Sequence, residues 1–149
     1  MKEIVRTEAA PAPFQGAPYS QAIISGGFVF VSGQLSLRPD HAEIVGETIQ
    51  EQTEQVFANL GAILEAAGSG LDKLVKTTVY LVDLNEFQGM NEVYARHVGD
   101  RPPARAAMRS APFPRAKRLH RSRWTWRTSR GSSRTSTSRV STSQGSAGT

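Results

Sequence analysis

The residue best placed to recognise a ligand is Arg105, in the stretch Arg101-Pro102-Pro103-Ala104-Arg105-Ala106-Ala107-Met108. Two prolines stiffen the backbone and bar a helix there, and the small apolar run after them can enter a strand. A guanidinium fixed at a strand entrance presents a rigid fork of N–H donors that matches one planar carboxylate. On this stretch alone, a solvated surface cation is the simpler reading. Other chemistries find less support. His41, His97 and His120 stand isolated, without metal-ligand spacing, and the chain has no Cys for a thiolate site or a disulfide. Gly26-Gly27 and Gly68-Ser69-Gly70 read as turns, not as a phosphate loop. Ser32 has no His or Asp at triad spacing, so a nucleophilic serine is not expected. Tyr19 and Tyr94 could be core aromatics, and Asn91 ordinary helix-surface polarity.

Several elements must position these side chains. Ala9 to Pro18 is Pro/Ala-rich and reads as an extended lead-in. Ala22-Ile23-Ile24 and Phe28-Val29-Phe30-Val31 are strand-like runs around Gly26-Gly27, a hairpin signal. Ser32-Gly33-Gln34 then interrupts the second strand, as at a bulge or a close ligand approach. Thr48-Ile49-Gln50-Glu51 has the capping-box pattern. Ile49, Val56, Phe57, Leu60, Ile63, Leu64 and Ala67 follow at helical spacing up to Gly68. Leu74 to Leu84 reads as a long strand. Asp83 or Asn85 can cap a second helix with inner face Phe87, Met90, Tyr94 and Val98, stopped by Gly99. Hairpin, helix, strand, helix, strand predicts an α+β domain with both helices on one face of a mixed sheet.

Charge divides the chain. Residues 1–108 hold 8 of the 18 Lys/Arg and all 13 Asp/Glu, whereas residues 109–149 hold the other 10 Lys/Arg and no acid. Such asymmetry points to a nucleic-acid-binding tail or to two pieces of different origin. We expect a domain over residues 1–117 and a basic Ser/Thr/Arg-rich tail over 118–149. Arg118 to Arg127, with Trp124 and Trp126, could pair as a ragged edge strand, and beyond it disorder is expected. Neither an apolar signal core nor a run of membrane-spanning length is present, so the expectation is a cytoplasmic protein with no membrane partner.

Five segments in register carry a resemblance: Ala17-Pro18-Tyr19-Ser20-Gln21-Ala22, Phe30-Val31-Ser32-Gly33-Gln34, Val75-Lys76-Thr77-Thr78-Val79-Tyr80-Leu81, Asn91-Glu92-Val93-Tyr94 and Pro102-Pro103-Ala104-Arg105. Together, over roughly residues 3–115, the chain resembles the YjgF/YER057c/UK114 family, also called the Rid or reactive-intermediate deaminase family. The resemblance implies a chorismate-mutase-like α+β fold, a homotrimer with a ligand cleft at each subunit interface, and no cofactor. It also implies hydrolysis of reactive enamines and imines to 2-keto acids and ammonia. Carried over by position, Arg105 would grip the substrate carboxylate; Tyr19, Ser32 and Asn91 would line the cleft; the backbone at Gly33 would approach the ligand. An RNA partner for the tail is not expected.

The sequence departs from the family at its end. Deaminating members carry a Glu on the final strand, where this chain has His120 within a wholly basic stretch. That departure leaves open a non-catalytic member that binds small carboxylates or a protein. A shifted reading frame is compatible with it: His120 to Trp124 can be encoded so that one nucleotide on the codons read Ile-Glu-Val-Asp.

Overall fold

The structure, a computed structural model, describes residues 1–13, 17–40 and 43–111, and the backbone of 123–127. Gly26 and Gly27 close the hairpin between β2 (Ala22–Ser25) and β3 (Phe28–Val31), with φ of 58° and 77°. Two successive left-handed residues give the turn whose twist matches its strands. A strand the sequence did not announce, β1 (Glu3–Val5), adds antiparallel to β2 with Val5 opposite Ala22. With three residues and one buried side chain, it is too short to display alternation. Among its described residues the lead-in holds no helix or strand, as expected. Buried Gln21 ties it down, its Nε2 donating to Thr7 O, Ala10 O and Pro11 O while its Oε1 accepts from Thr7 N.

Helix α1 (Ile49–Ala66) begins with the expected capping box. Thr48 Oγ1 accepts from Glu51 N at 3.2 Å, and Glu51 Oε2 accepts from Thr48 N at 3.0 Å. Ile49, Val56, Phe57, Leu60, Ile63 and Leu64 are all buried, as their 3.6-residue spacing requires. Thr48→Ala leaves an end N–H without its side-chain acceptor and should cost about 1 kcal/mol in chemical denaturation, with the slope unchanged.

The long strand is shorter than expected. β4 spans Lys76–Leu81, flanked by 3₁₀ turns at Leu71–Lys73 and Leu84–Glu86. Asp83 caps the second of these turns, accepting from Asn85 N at 2.9 Å, and does not cap a helix. Helix α2 therefore starts at Phe87 and runs to Val98, ending at Gly99 with φ 61°. Met90, Val93 and Tyr94 are its buried residues; Phe87 and Val98 pack at the margin of the core.

β5 (Ala104–Arg109) returns parallel to β4, with Arg105 opposite Thr77. β6 (Arg123–Arg127) lies antiparallel on the other side of β4, where the sequence suggested a ragged edge strand. The fold is α+β as expected. Its ladders come in two three-stranded sheets, β1-β2-β3 and the mixed β5-β4-β6, with β6 alongside β3. Val29, Val31, Val79 and Leu81 join the apolar faces of both helices in one core. Val79 and Leu81 are fully buried within the chain. Ile23, Phe28, Phe30 and Tyr80 are only half-buried. Position 120 and the expected disorder over 128–149 lie outside the described residues. Among the described residues no helix is long and apolar enough to cross a membrane.

The helices meet closely at Gly89, where a Cβ would stand 2.8 Å from Ile49 Cγ2 and 2.7 Å from Gln50 Nε2. Gly89→Ala should lower stability by about 1–2 kcal/mol despite alanine's better helix propensity, because buried Ile49 cannot yield freely. Charge joins the same helices further along. Glu54 Oε1 accepts from Arg96 Nη2 at 2.6 Å, and Oε2 meets His97 Nε2 at 2.6 Å. The His97 hydrogen bond, aided by Arg96, holds the Glu54 carboxyl below its ordinary value of 4.5. A carboxyl with a lowered folded-state pKa contributes stability above its ordinary value and loses it as pH falls through the lowered one. The melting-temperature difference between the wild type and Glu54→Gln should therefore shrink as pH is taken below 4.5.

Candidate functional site

Arg105 owes its placement to register. Opposite residues of a sheet share a face, and its partner Thr77 is fully buried on the face toward the helices. The guanidinium thus rises from edge strand β5 toward α2. There Nη1 donates to Asn91 Oδ1 at 2.7 Å, and Cζ lies 4.5 Å from the Tyr94 ring centre and 5.3 Å from that of Phe87. One hydrogen bond leaves most of the fork's donors to point elsewhere. Among the described residues no carboxylate pairs with Arg105, which is itself half-buried.

Tyr94 is the floor beneath this cation. Its hydroxyl and Thr77 Oγ1 are 2.8 Å apart. Burial pushes its pKa up, against the opposing pull of the Thr77 hydrogen bond and the Arg105 charge. The phenol therefore stays neutral, and its ring face attracts the guanidinium without adding a counter-charge. A partly desolvated cation, braced by an amide and two aromatic rings, is a receptor for one planar anion.

The remaining expected site residues form a second group. Ser32 follows the end of β3, its Oγ donating to Ser20 O at 2.6 Å and its N–H to Gln21 O at 2.9 Å. Tyr19 beside it is 45% exposed, so it is no core aromatic. Gly33 is exposed, and the chain after it is tethered to α1 by Asn59, whose Nδ2 donates to Leu35 O at 3.0 Å and Leu37 O at 2.9 Å. Within the single chain, Arg105 and Asn91 are brought together, as are Tyr19, Ser32 and Gly33. Among the described residues no hydrogen bond joins the two groups.

Asn91 is thus more than surface polarity. Phe87 and Tyr94 flank the same cation, a role their reading as inner-face residues missed. The spacing did hold the signal: Phe87, Asn91 and Tyr94 recur at i, i+4 and i+7 and share one helix face. Thr77 and Asn59 gave no such signal, since buried hydrogen-bonding partners distant in sequence leave no periodic trace.

Known proteins resemble this chain over most of its length. A RutC family protein of Pyrococcus horikoshii is 50% identical over 115 residues, covering 77% of this chain and 90% of the relative. The 2-iminobutanoate/2-iminopropanoate deaminase of Homo sapiens is 36% identical over 121 residues, covering 80% and 88%. The crystal structure of E. coli TdcF with bound serine superposes with a TM-score of 0.76 at 30% identity, covering 87% of this chain and 99% of that one. The family described as Endoribonuclease L-PSP matches residues 7–119, a match that stops immediately before His120. With three-quarters of its length in that pattern and with these relatives, the chain belongs to the Endoribonuclease L-PSP (YjgF/Rid) family.

Proposed function

We propose that this protein hydrolyses small 2-imino acids and their enamine tautomers to 2-keto acids and ammonia, in a cleft completed between subunits of a homotrimer. The observation that carries the reading is Arg105, fixed by Asn91 over Tyr94 with no carboxylate neutralising it among the described residues. Its remaining donors suit the carboxylate that every such substrate carries. The deaminase activity named for the human relative, and the serine bound to TdcF, support a small amino-acid-derived ligand.

The chemistry asks little of the protein. The iminium carbon is already electrophilic, so holding the carboxylate fixes it against an incoming water. Water adds, the carbinolamine loses its C–N bond, and the nitrogen leaves as ammonia as the carbonyl forms. On the way one proton moves from the attacking oxygen to nitrogen, and the second leaves the hydroxyl to solvent as the carbonyl forms. Tyr19 and Ser32 are the side chains we assign to the other wall. Among the described residues no hydrogen bond joins them to Arg105 within one chain, which fits a wall supplied by a second copy. The half-buried apolar residues Ile23, Phe28, Phe30 and Tyr80 offer the surface such a copy would cover.

A coupled assay tests this: a dehydratase generates 2-aminoacrylate, and keto-acid release is followed with and without the protein. Acceleration over the spontaneous rate supports the deaminase; a monomer by light scattering at micromolar concentration would overturn the shared cleft. A second reading, a member that binds 2-keto acids without turnover, is favoured by the family match stopping at residue 119, short of the position where His120 replaces the Glu of deaminating members. Binding of pyruvate without acceleration would select it.

A further inference from the structure

The floor under Arg105 continues into a stack that the proposed chemistry does not use. The Tyr94 ring meets the edge of Phe57, centres 5.8 Å apart at 74°. Phe57 in turn carries the His97 ring flat upon it, 4.2 Å between centres at 9°. Glu54 holds the far side of that imidazole at 2.6 Å and Arg96 at the same distance. Glu54 and Phe57 are three apart on α1, and Tyr94 and His97 three apart on α2, so each pair lies on one helix face. The four side chains interlock across the helix seam, from a half-exposed carboxylate to the guanidinium.

We infer that His97 is a positioning residue for the carboxylate anchor: stacked on Phe57 and fastened by Glu54, it fixes the depth of Tyr94 and through it the seat of Arg105. The inference rests on Arg105 being that anchor. Tyr94 has its hydroxyl tied to Thr77 on the sheet, and Phe57 is one of the groups that limit the tilt of its ring about that end. The imidazole stacked on Phe57 limits that ring in turn. No step of imine hydrolysis passes through His97, which keeps it apart from catalytic groups and makes its effect one of binding geometry.

The test measures pyruvate affinity by calorimetry on the full chain, which reads the site whether or not the protein turns over. His97→Ala should raise the pyruvate Kd about 3- to 10-fold, the scale expected when an anchor is left without lateral support. His97→Phe keeps a flat ring on Phe57 and should restore most of the loss, whereas His97→Gln, which keeps only a hydrogen-bonding group for Glu54, should not. Thr48→Ala serves as a control for general destabilisation and should leave Kd unchanged. Affinity of His97→Ala equal to that of Thr48→Ala, or recovery by Gln and not by Phe, would overturn the inference. If His97→Ala does not fold, His97→Phe against His97→Gln still decides between ring and hydrogen bond. Arg105→Ala separates the two levels. Lost binding there with an unmoved His97 series sinks only the positioning role, while binding retained in Arg105→Ala sinks the anchor itself.

Discussion

Arg105→Ala is expected to abolish measurable pyruvate binding while shifting the melting temperature little. The side chain contributes one hydrogen bond, to half-buried Asn91, and stands over rings that keep their own support: Tyr94 remains tied to Thr77 and packed against Phe57. What disappears is the charge facing the ligand. Removing one partner of a partly desolvated pair typically costs about 2–5 kcal/mol, roughly 30- to 4,000-fold in Kd. Arg105→Lys should recover only part of this, because an ammonium cannot present two parallel donors to one carboxylate or lie flat over an aromatic ring. Calorimetric titration with pyruvate reads both variants. Unchanged affinity in the alanine variant would remove Arg105 from the binding site.

Phe57→Ala should be the most destabilising of the single substitutions considered. The ring is 1% exposed, lies between both helices, and touches Tyr94 on one side and His97 on the other. Both neighbours keep a tether, Tyr94 to the sheet and His97 to Glu54, so they can fill the space only in part. A cavity that collapses only in part places the cost within the usual range for a buried phenylalanine, about 3–5 kcal/mol. Phe57→Leu, which refills much of the volume, should cost less. Denaturant unfolding measures both, and a loss below about 1 kcal/mol for the alanine variant would mean that the core repacks freely around α1.

Helix α1 was legible almost to the residue, because the capping box and the apolar spacing speak about the same backbone. The hairpin was legible for a similar reason, since only glycine sits easily at two successive positive φ angles. The start of α2 was misplaced because Asp83 is an equally good cap for a 3₁₀ turn, and nothing local distinguishes the two. Arg105 and Asn91 could each be nominated, but not their bond. It spans 14 residues and depends on a parallel register that forms only when α2 folds back over β4. Gln21 and Asn59 look like ordinary surface polarity in the sequence, yet both are buried to hold backbone carbonyls. Polar residues that satisfy someone else's backbone are invisible until the chain is folded.

The pairing of Arg105 with Thr77 has a consequence for where this chain can change length. Side chains alternate between faces along a strand, so a slip of β5 by one residue along β4 would turn the arginine to the opposite face of the sheet. A slip of two residues would keep it on the face toward α2 while sliding it along β4 by about 6–7 Å, away from Asn91. A length change in the loop between Gly99 and Ala104 forces neither slip, because the loop can take up the extra chain and leave the ladder in place. The ladder is therefore subject to a parity rule: odd slips lose the face and even slips lose the seat. Length variation compatible with the site falls in the loops and not inside β5.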